Sequence, residues 1–240
     1  YKKLFIDKKS LVIFVSQSGE TADTLACLRL AKEHGAATLA IVNVVGSSIA
    51  READKVIYIK AGPEIAVATT KAYSAQVAIF SLIALTMGVS KGIISFDKVN
   101  DILESINKLP KLLKEGMNVK LNKISKNIYK KEDVFFLGRS IDYMIALEGS
   151  LKLKEISYIH SETYAAGELK HGSIALIEEG TPVIAVVTDK HVAEKTISNI
   201  KEVKARGAYV ILVVSKDLDQ EYDCYDEKII VKNTHKLLQP

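Results

Sequence analysis

The sequence predicts an α/β protein built from two copies of one unit, each a doubly wound, mainly parallel sheet held between helical layers. Two observations carry this expectation. Short β-branched runs alternate with stretches of helical spacing, the pattern of βαβ units. "SLVIFVSQSGET…LRLAKEHGAATLAIVNV…ADKVIYI" recurs in order and length as "TPVIAVVTDKHV…IKEVKARGAYVILVVSK…DEKIIV", offset by 171 to 172 residues throughout. A repeat of this size marks a duplicated structural unit. Parallel strands joined by helical crossovers wind right-handed into three layers.

The elements follow in order. Leu11–Val15 is a strand, and Thr21–His34 is a helix with Leu25, Leu28, Leu30 and Ala31 at helical spacing, stopped by Gly35. Thr38–Val42 and Lys55–Ile59 are strands. Glu64–Met87 is long and apolar on most faces, hence a buried helix. Asp97–Tyr129 reads as helical, with a stripe of Leu103, Ile106, Leu109, Leu112 and Leu113, and Pro110 is expected to kink or divide it. The second half gives strand Val134–Leu137, helix Tyr143–Tyr158 and strand Pro182–Val187. Helix His191–Arg206, closed by Gly207, and strands Tyr209–Val214 and Lys228–Val231 complete the pattern.

The repeat also shows what each copy lacks. The second copy has a strand and helix (Val134–Tyr158) before its matching segment, whereas the chain opens at Tyr1 just ahead of the first. The first copy closes with a long helix, and the second runs to Pro240 without one. The expectation is a first unit missing its N-terminal part (1–95), a helical connector (96–130) and a second unit missing its C-terminal part (131–240).

Composition excludes several function classes. The 240 residues are 48% hydrophobic, 26% charged and 7% aromatic, with a net charge of +4, ordinary for a globular protein. Basic residues are interleaved with acids, as in Lys130-Lys131-Glu132-Asp133, so no nucleic-acid stripe appears. Cys27 and Cys224 fit no metal or redox spacing, and Cys27 reads as a core residue. The longest apolar run, Gln76–Val89, falls short of the roughly 20 residues of a membrane span. No signal peptide precedes Tyr1-Lys2-Lys3. Neither metal nor cofactor is expected, and no membrane; the expected location is cytoplasmic.

Two stretches carry chemistry. Ser16-Gln17-Ser18-Gly19 ends a strand and precedes a helix, the place where doubly wound sheets bind ligands. A helix N-terminus offers free N–H groups and partial positive charge. One N-cap residue would explain one hydroxyl; Ser16, Ser18 and Thr21 with Gln17 exceed that need, which points to an oxyanion. Without GxxxxGK[ST] or GxGxxG, a single phosphate held by neutral donors fits better than a nucleotide. Thr69-Thr70, opening the long helix, could meet the same ligand. The second stretch is "ALEGSLKLKEISYIHSETYAAGELKHGSIALI". Glu148, Lys152 and Glu155 share one face of a largely apolar helix, where a cleft can tune them for proton transfer. His171 follows in a Gly-flanked loop with Glu168 and Lys170. Glutamate, lysine and histidine together suit aldose–ketose chemistry.

Taken together, "SQSGETADT", "GSSIAREAD", "EIAVATTKA", "ALEGSLKLKEISYIHSETYAAGELKHG" and "KARG" resemble the isomerase region of the glucosamine-6-phosphate synthase family, the glutamine–fructose-6-phosphate aminotransferases. Those enzymes carry two sugar-isomerase (SIS) domains. The resemblance covers nearly the whole chain; "SQSGET" alone would indicate only an SIS domain, and "LKLKEISYIH…YAAGELKHG" is more specific. It implies that Ser16, Gln17, Ser18 and Thr21 bind the phosphate of fructose 6-phosphate and that Val67 and Thr69 contact the sugar. It assigns Glu155 as the base moving a proton between C1 and C2, and Lys152 as the stabiliser of enolate-like charge. His171 would open the ring in a neighbouring subunit of a homodimer, and Glu148 would orient these groups. "HGS" at 171–173 departs from the family's His-Gly-Pro at that turn only. The family's glutaminase domain and its carboxyl tail with a Schiff-base lysine lie outside these residues. The alternatives are another SIS isomerase or deglycase, or a sugar-phosphate-sensing SIS module.

Overall fold

A computed structural model describes residues 5–116 and 121–238. The chain divides into two units, Tyr1–Leu82 and Ile83–Pro240.

In the first unit, β1 (Leu11–Ser16), β2 (Ala37–Val42) and β3 (Lys55–Tyr58) form a parallel sheet in the order β1-β2-β3. Helix α1 (Ala22–Glu33) crosses from β1 to β2, and the five-residue α2 (Ser48–Glu52) from β2 to β3. Gly35, at φ +75°, accepts the left-handed turn that ends α1 and donates its N–H to Lys32 O. Phe14, Ala40 and Val42 from the sheet pack with Leu28 and Ala31 of α1 and Ile49 of α2. The short α2 is absent from the sequence reading, because five residues are too few for a helical period to register.

Helix α3 (Lys71–Ser90) corrects one expectation. It begins later than Glu64, and it is not a buried helix: Ala72, Ser81 and Leu85 are buried, but Phe80, Leu82 and Met87 are exposed. Apolar character on every face did not bring cover on every face. By length and composition alone α3 could cross a membrane, with a mean hydropathy of 1.6.

The second unit holds α4 (Phe96–Gly116), α5 (Asn122–Ile128), β4 (Asp133–Gly138), α6 (Ile141–Ser157), β5 (His160–Ala165), β6 (Pro182–Val187), α7 (Ala193–Ala205), β7 (Tyr209–Ser215) and β8 (Glu227–Val231). Its five parallel strands run β5-β4-β6-β7-β8. One sheet face, with Leu137, Ala185, Leu212 and Val214, packs on Ile197, Ile200 and Val203 of α7. The other face, with Val134, Phe136 and Val186, packs on Ala146 of α6. The expected helix 97–129 is two helices. Pro110 lies inside α4 without ending it, and the division falls after Gly116, where residues 117–120 lie outside the described residues. Strand β5 also escapes the sequence reading. His-Ser-Glu-Thr-Tyr-Ala is too polar to stand out, as suits an edge strand.

The repeat holds in three dimensions, since β1-β2-β3 corresponds to β6-β7-β8. It extends to a side-chain network. Asp54 accepts from Thr38 N (2.9 Å) and pairs with Lys32 (3.1 Å). At the matching positions, Asp226 accepts from Val210 N (2.7 Å) and pairs with Lys204 (2.7 Å). Among the described residues β1 pairs only with β2, whereas its counterpart β6 lies between β4 and β7.

Candidate functional site

The first-unit site is built at the carboxyl end of β1. Ser16 closes the strand and is buried, and the chain turns through Gly19 at φ +69° into α1. Ser16 Oγ and Thr21 Oγ1 lie 2.9 Å apart in a hydrogen bond, and Gly19 N donates to Ser16 Oγ at 2.9 Å. Ser18 Oγ accepts from Glu20 N at 3.2 Å, which leaves its proton available to donate. Thr21 stands at the N-cap of α1 yet its side chain makes no cap hydrogen bond. Capping of α1 therefore does not account for these hydroxyls, which bond within the loop.

Gln17 lines a cleft of about 560 Å³ over the carboxyl ends of the three strands, together with Asn43, Tyr58, Lys60, Gly62 and Glu64. Asn43 fixes the far wall: its Nδ2 donates to Gly62 O at 2.7 Å and its Oδ1 accepts from Ala61 N at 3.0 Å. Lys60, at φ +57°, is in the left-handed region uncommon for a side chain with Cβ. It brings a lysine to the lining of this cleft, and no sequence signal pointed to it. Val67, exposed, and Thr69, half-buried, lie on the irregular segment before α3, outside this lining.

The second unit gathers Glu148, Lys152 and Glu155 on one face of α6. Lys152 Nζ is 2.5 Å from Glu155 Oε2 and 3.5 Å from Glu148 Oε1, and the three side chains are only 17–25% exposed. Burial works to lower the Lys152 pKa; the hydrogen bond to Glu155 and the charges of both carboxylates outweigh it and raise the pKa above the usual lysine value. Lys152 is thus a fixed cation between two acids. The helix is seated by Gly149, where a Cβ would meet the Phe136 ring at 3.3 Å, and by Ser150 Oγ, 2.8 Å from Ser161 Oγ. His171 is exposed at the end of a 3₁₀ turn, Leu169–His171, anchored by the buried Leu169, and its backbone N–H donates to Glu168 O. No hydrogen bond or ion pair joins it to the trio among the described residues. Its neighbour Lys170 pairs with Glu202 at 3.8 Å.

The tip of β6, the repeat counterpart of β1, has the opposite character. The fully buried Asp142 carboxylate accepts from Thr188 N (2.8 Å), Thr188 Oγ1 (2.5 Å) and Asp189 N (3.1 Å). Burial pushes the Asp142 pKa up against these hydrogen bonds. The amides that would face an anion are taken by the chain's own carboxylate, with Asp189 beside it. The two homologous strand tips therefore differ: at β1 the hydroxyls bond within their own loop, and at β6 the amides are bonded to a buried carboxylate. Cys27, half-buried, packs against the first core, and Cys224 is wholly buried in the second.

A paired parallel fold with a hydroxyl-rich strand tip and a Glu–Lys–Glu helix defines a class, and comparison with known families agrees. The SIS domain model matches residues 2–86 and 127–233, and the chain belongs to the SIS domain family. Within that family it is similar to glutamine–fructose-6-phosphate aminotransferase [isomerizing]: 50% identical over 242 residues to that of Caldanaerobacter subterraneus subsp. tengcongensis and 46% over 243 to that of Methanosarcina mazei. All of the chain is covered in both, against 40% and 39% of the relatives' own lengths, so it spans about two fifths of the curated relatives it matches. The C-terminal domain of glucosamine-fructose-6-phosphate aminotransferase from Francisella tularensis superposes with a TM-score of 0.93 at 38% identity, covering 99% of this chain and 68% of that one.

Proposed function

We propose that this chain is the isomerase part of a glutamine–fructose-6-phosphate aminotransferase, binding fructose 6-phosphate and converting it, with ammonia from glutamine, to glucosamine 6-phosphate. The observation that carries the reading is the α6 trio: a buried-side lysine held cationic between two carboxylates on a helix of the SIS fold.

In this reading Ser16, Gln17, Ser18 and Thr21 hold the phosphate with neutral donors at the N-terminus of α1. Val67 and Thr69 contact the sugar. Glu155 takes a proton from C1 and returns it at C2, and Lys152 stabilises the charge that develops on the oxygen between these steps. Glu148 keeps Lys152 oriented. His171, exposed on its own turn, acts on the ring oxygen of a sugar bound to a neighbouring subunit, which requires a homodimer. Ammonia comes from a glutaminase domain of the same polypeptide, the location is cytoplasmic, and residues 1–95, 96–130 and 131–240 are the first SIS portion, connector and second SIS portion.

The test is Glu155→Gln in the full-length protein. It should retain fructose 6-phosphate binding while turnover falls by about two orders of magnitude or more. Unchanged exchange of solvent tritium into C1 would rule Glu155 out as the base.

A further inference from the structure

Glu20 is the one charged residue in the Ser16–Thr21 loop, and an acid is an odd neighbour for an anion. We propose that Glu20 is a positioning residue that locks the loop to α2, with Ser47 as the stop on which Gly19 is seated; this rests on reading Ser16–Thr21 as the sugar-phosphate site.

The contacts are consecutive on both sides. Gly19 O accepts from Ile49 N at 3.0 Å, and Glu20 Oε1 accepts from Ser48 N at 2.8 Å. Two successive loop residues are thereby tied to two successive amides at the start of α2. The Glu20 carboxylate does what an N-cap side chain would do, since Ser47, the N-cap residue, makes no side-chain cap bond. Ser47 is 3% exposed and its Oγ has no hydrogen-bond partner. A Cβ at position 19 would come within 2.0 Å of that oxygen, so only glycine fits against it. Arg51 braces the same turn, donating to Gly46 O and to Ser48 Oγ.

The arrangement resolves the oddity. The carboxylate is satisfied by the α2 amide, and its negative charge is offset by the helix start and by Arg51. The hydrogen bonds to Ser48 and the charge of Arg51 accordingly hold its pKa below the usual glutamate value. The hydroxyls of Ser16, Ser18 and Thr21 take no part in this fastening and bond within their own loop. The motif's acid is then a fastener for the loop, acting through the geometry of the hydroxyls and touching no substrate.

Steady-state kinetics of the full-length protein with fructose 6-phosphate, and with inorganic phosphate as competitor, test this. Glu20→Ala removes the acceptor; KM and the phosphate inhibition constant should rise about tenfold with kcat within about twofold, the mark of lost ground-state binding. Glu20→Gln keeps an acceptor for Ser48 N while discarding the charge, and should return KM to the parent value or below. If Glu20 acted only by its charge, both variants would lower KM, and that result overturns the proposal. So do an unchanged KM in Glu20→Ala, a fall confined to kcat, and equal rises in both variants. Ser18→Ala separates the two levels: if it too leaves KM unchanged, the phosphate reading fails; if it raises KM while Glu20→Ala does not, only the fastener fails.

Discussion

Ser18 and Lys152 show how much a single side chain carries here. Ser18 is exposed at the strand tip and its Oγ accepts from Glu20 N, which leaves its proton available to donate. Ser18→Ala should weaken fructose 6-phosphate by about 1.5–3 kcal/mol, the worth of a hydrogen bond to a charged acceptor, read by calorimetry. Lys152 lies within reach of Glu148 and Glu155 with little exposure. Lys152→Met keeps the bulk of the stem but leaves both carboxylates without their cation; turnover should fall about 10²-fold or more, the scale of a lost electrostatic stabiliser, with the circular dichroism spectrum unchanged. Asp142 is the structural counterpart. Asp142→Ala removes the acceptor of Thr188 N and Asp189 N from a buried position and should cost about 2–4 kcal/mol in chemical denaturation, more than Asp142→Asn. The Ser-Gln-Ser-Gly-Glu-Thr hydroxyls and the α6 trio were legible from residue type and spacing. The parts played by Lys60, Asn43 and Ser47 were not, because each meets residues distant in sequence that only the fold brings near.

At the scale of elements, the crossover from β2 to β3 depends on Asp54. Its carboxylate accepts from Thr38 N and Thr38 Oγ1 and pairs with Lys32, and these hold its pKa down at about 2. A depressed carboxylate contributes stability that is complete above its unfolded pKa of about 3.9 and is lost as pH falls toward the folded value. The first unit should therefore lose thermal stability between about pH 4 and pH 2, and Asp54→Asn should flatten that slope while lowering the melting point at pH 6. Gly19 is the other pivot: Gly19→Ala meets both a positive φ and the Ser47 hydroxyl, so substrate affinity should drop in equilibrium binding together with stability. Helices and strands with strong period were readable in the sequence to within a few residues. The short α2, the polar edge strand β5 and the true break after α4 were not. The first two have too little apolar pattern, and the sequence offered Pro110 as a more conspicuous break than the one the chain uses.

Across the molecule, the duplication leaves two sheets of unequal width among the described residues, three strands against five. Strand β1 has a free edge among the described residues, and Phe80, Leu82 and Met87 of α3 are exposed. An open strand edge and exposed apolar side chains each favour association. These 240 residues should sediment as a concentration-dependent oligomer, and Phe80→Lys with Met87→Lys should shift the distribution toward monomer. A monomer at all concentrations in the parent chain would contradict this.

The sequence by itself determined the parallel α/β class, the duplication, the strand-tip hydroxyls and the Glu–Lys–Glu face of α6. All four are written in local period, in spacing along one helix or in the recurrence of whole segments, and none needs a tertiary contact to be read. Only the tertiary structure decided what each of the two homologous strand tips is bonded to. In β1 the hydroxyls bond within their own loop and Glu20 turns away to α2. In β6 the amides are taken by Asp142, 46 and 47 residues away in sequence. The physical reason is that a carboxylate's effect on an anion site depends on which amides it reaches, and folding alone sets that distance.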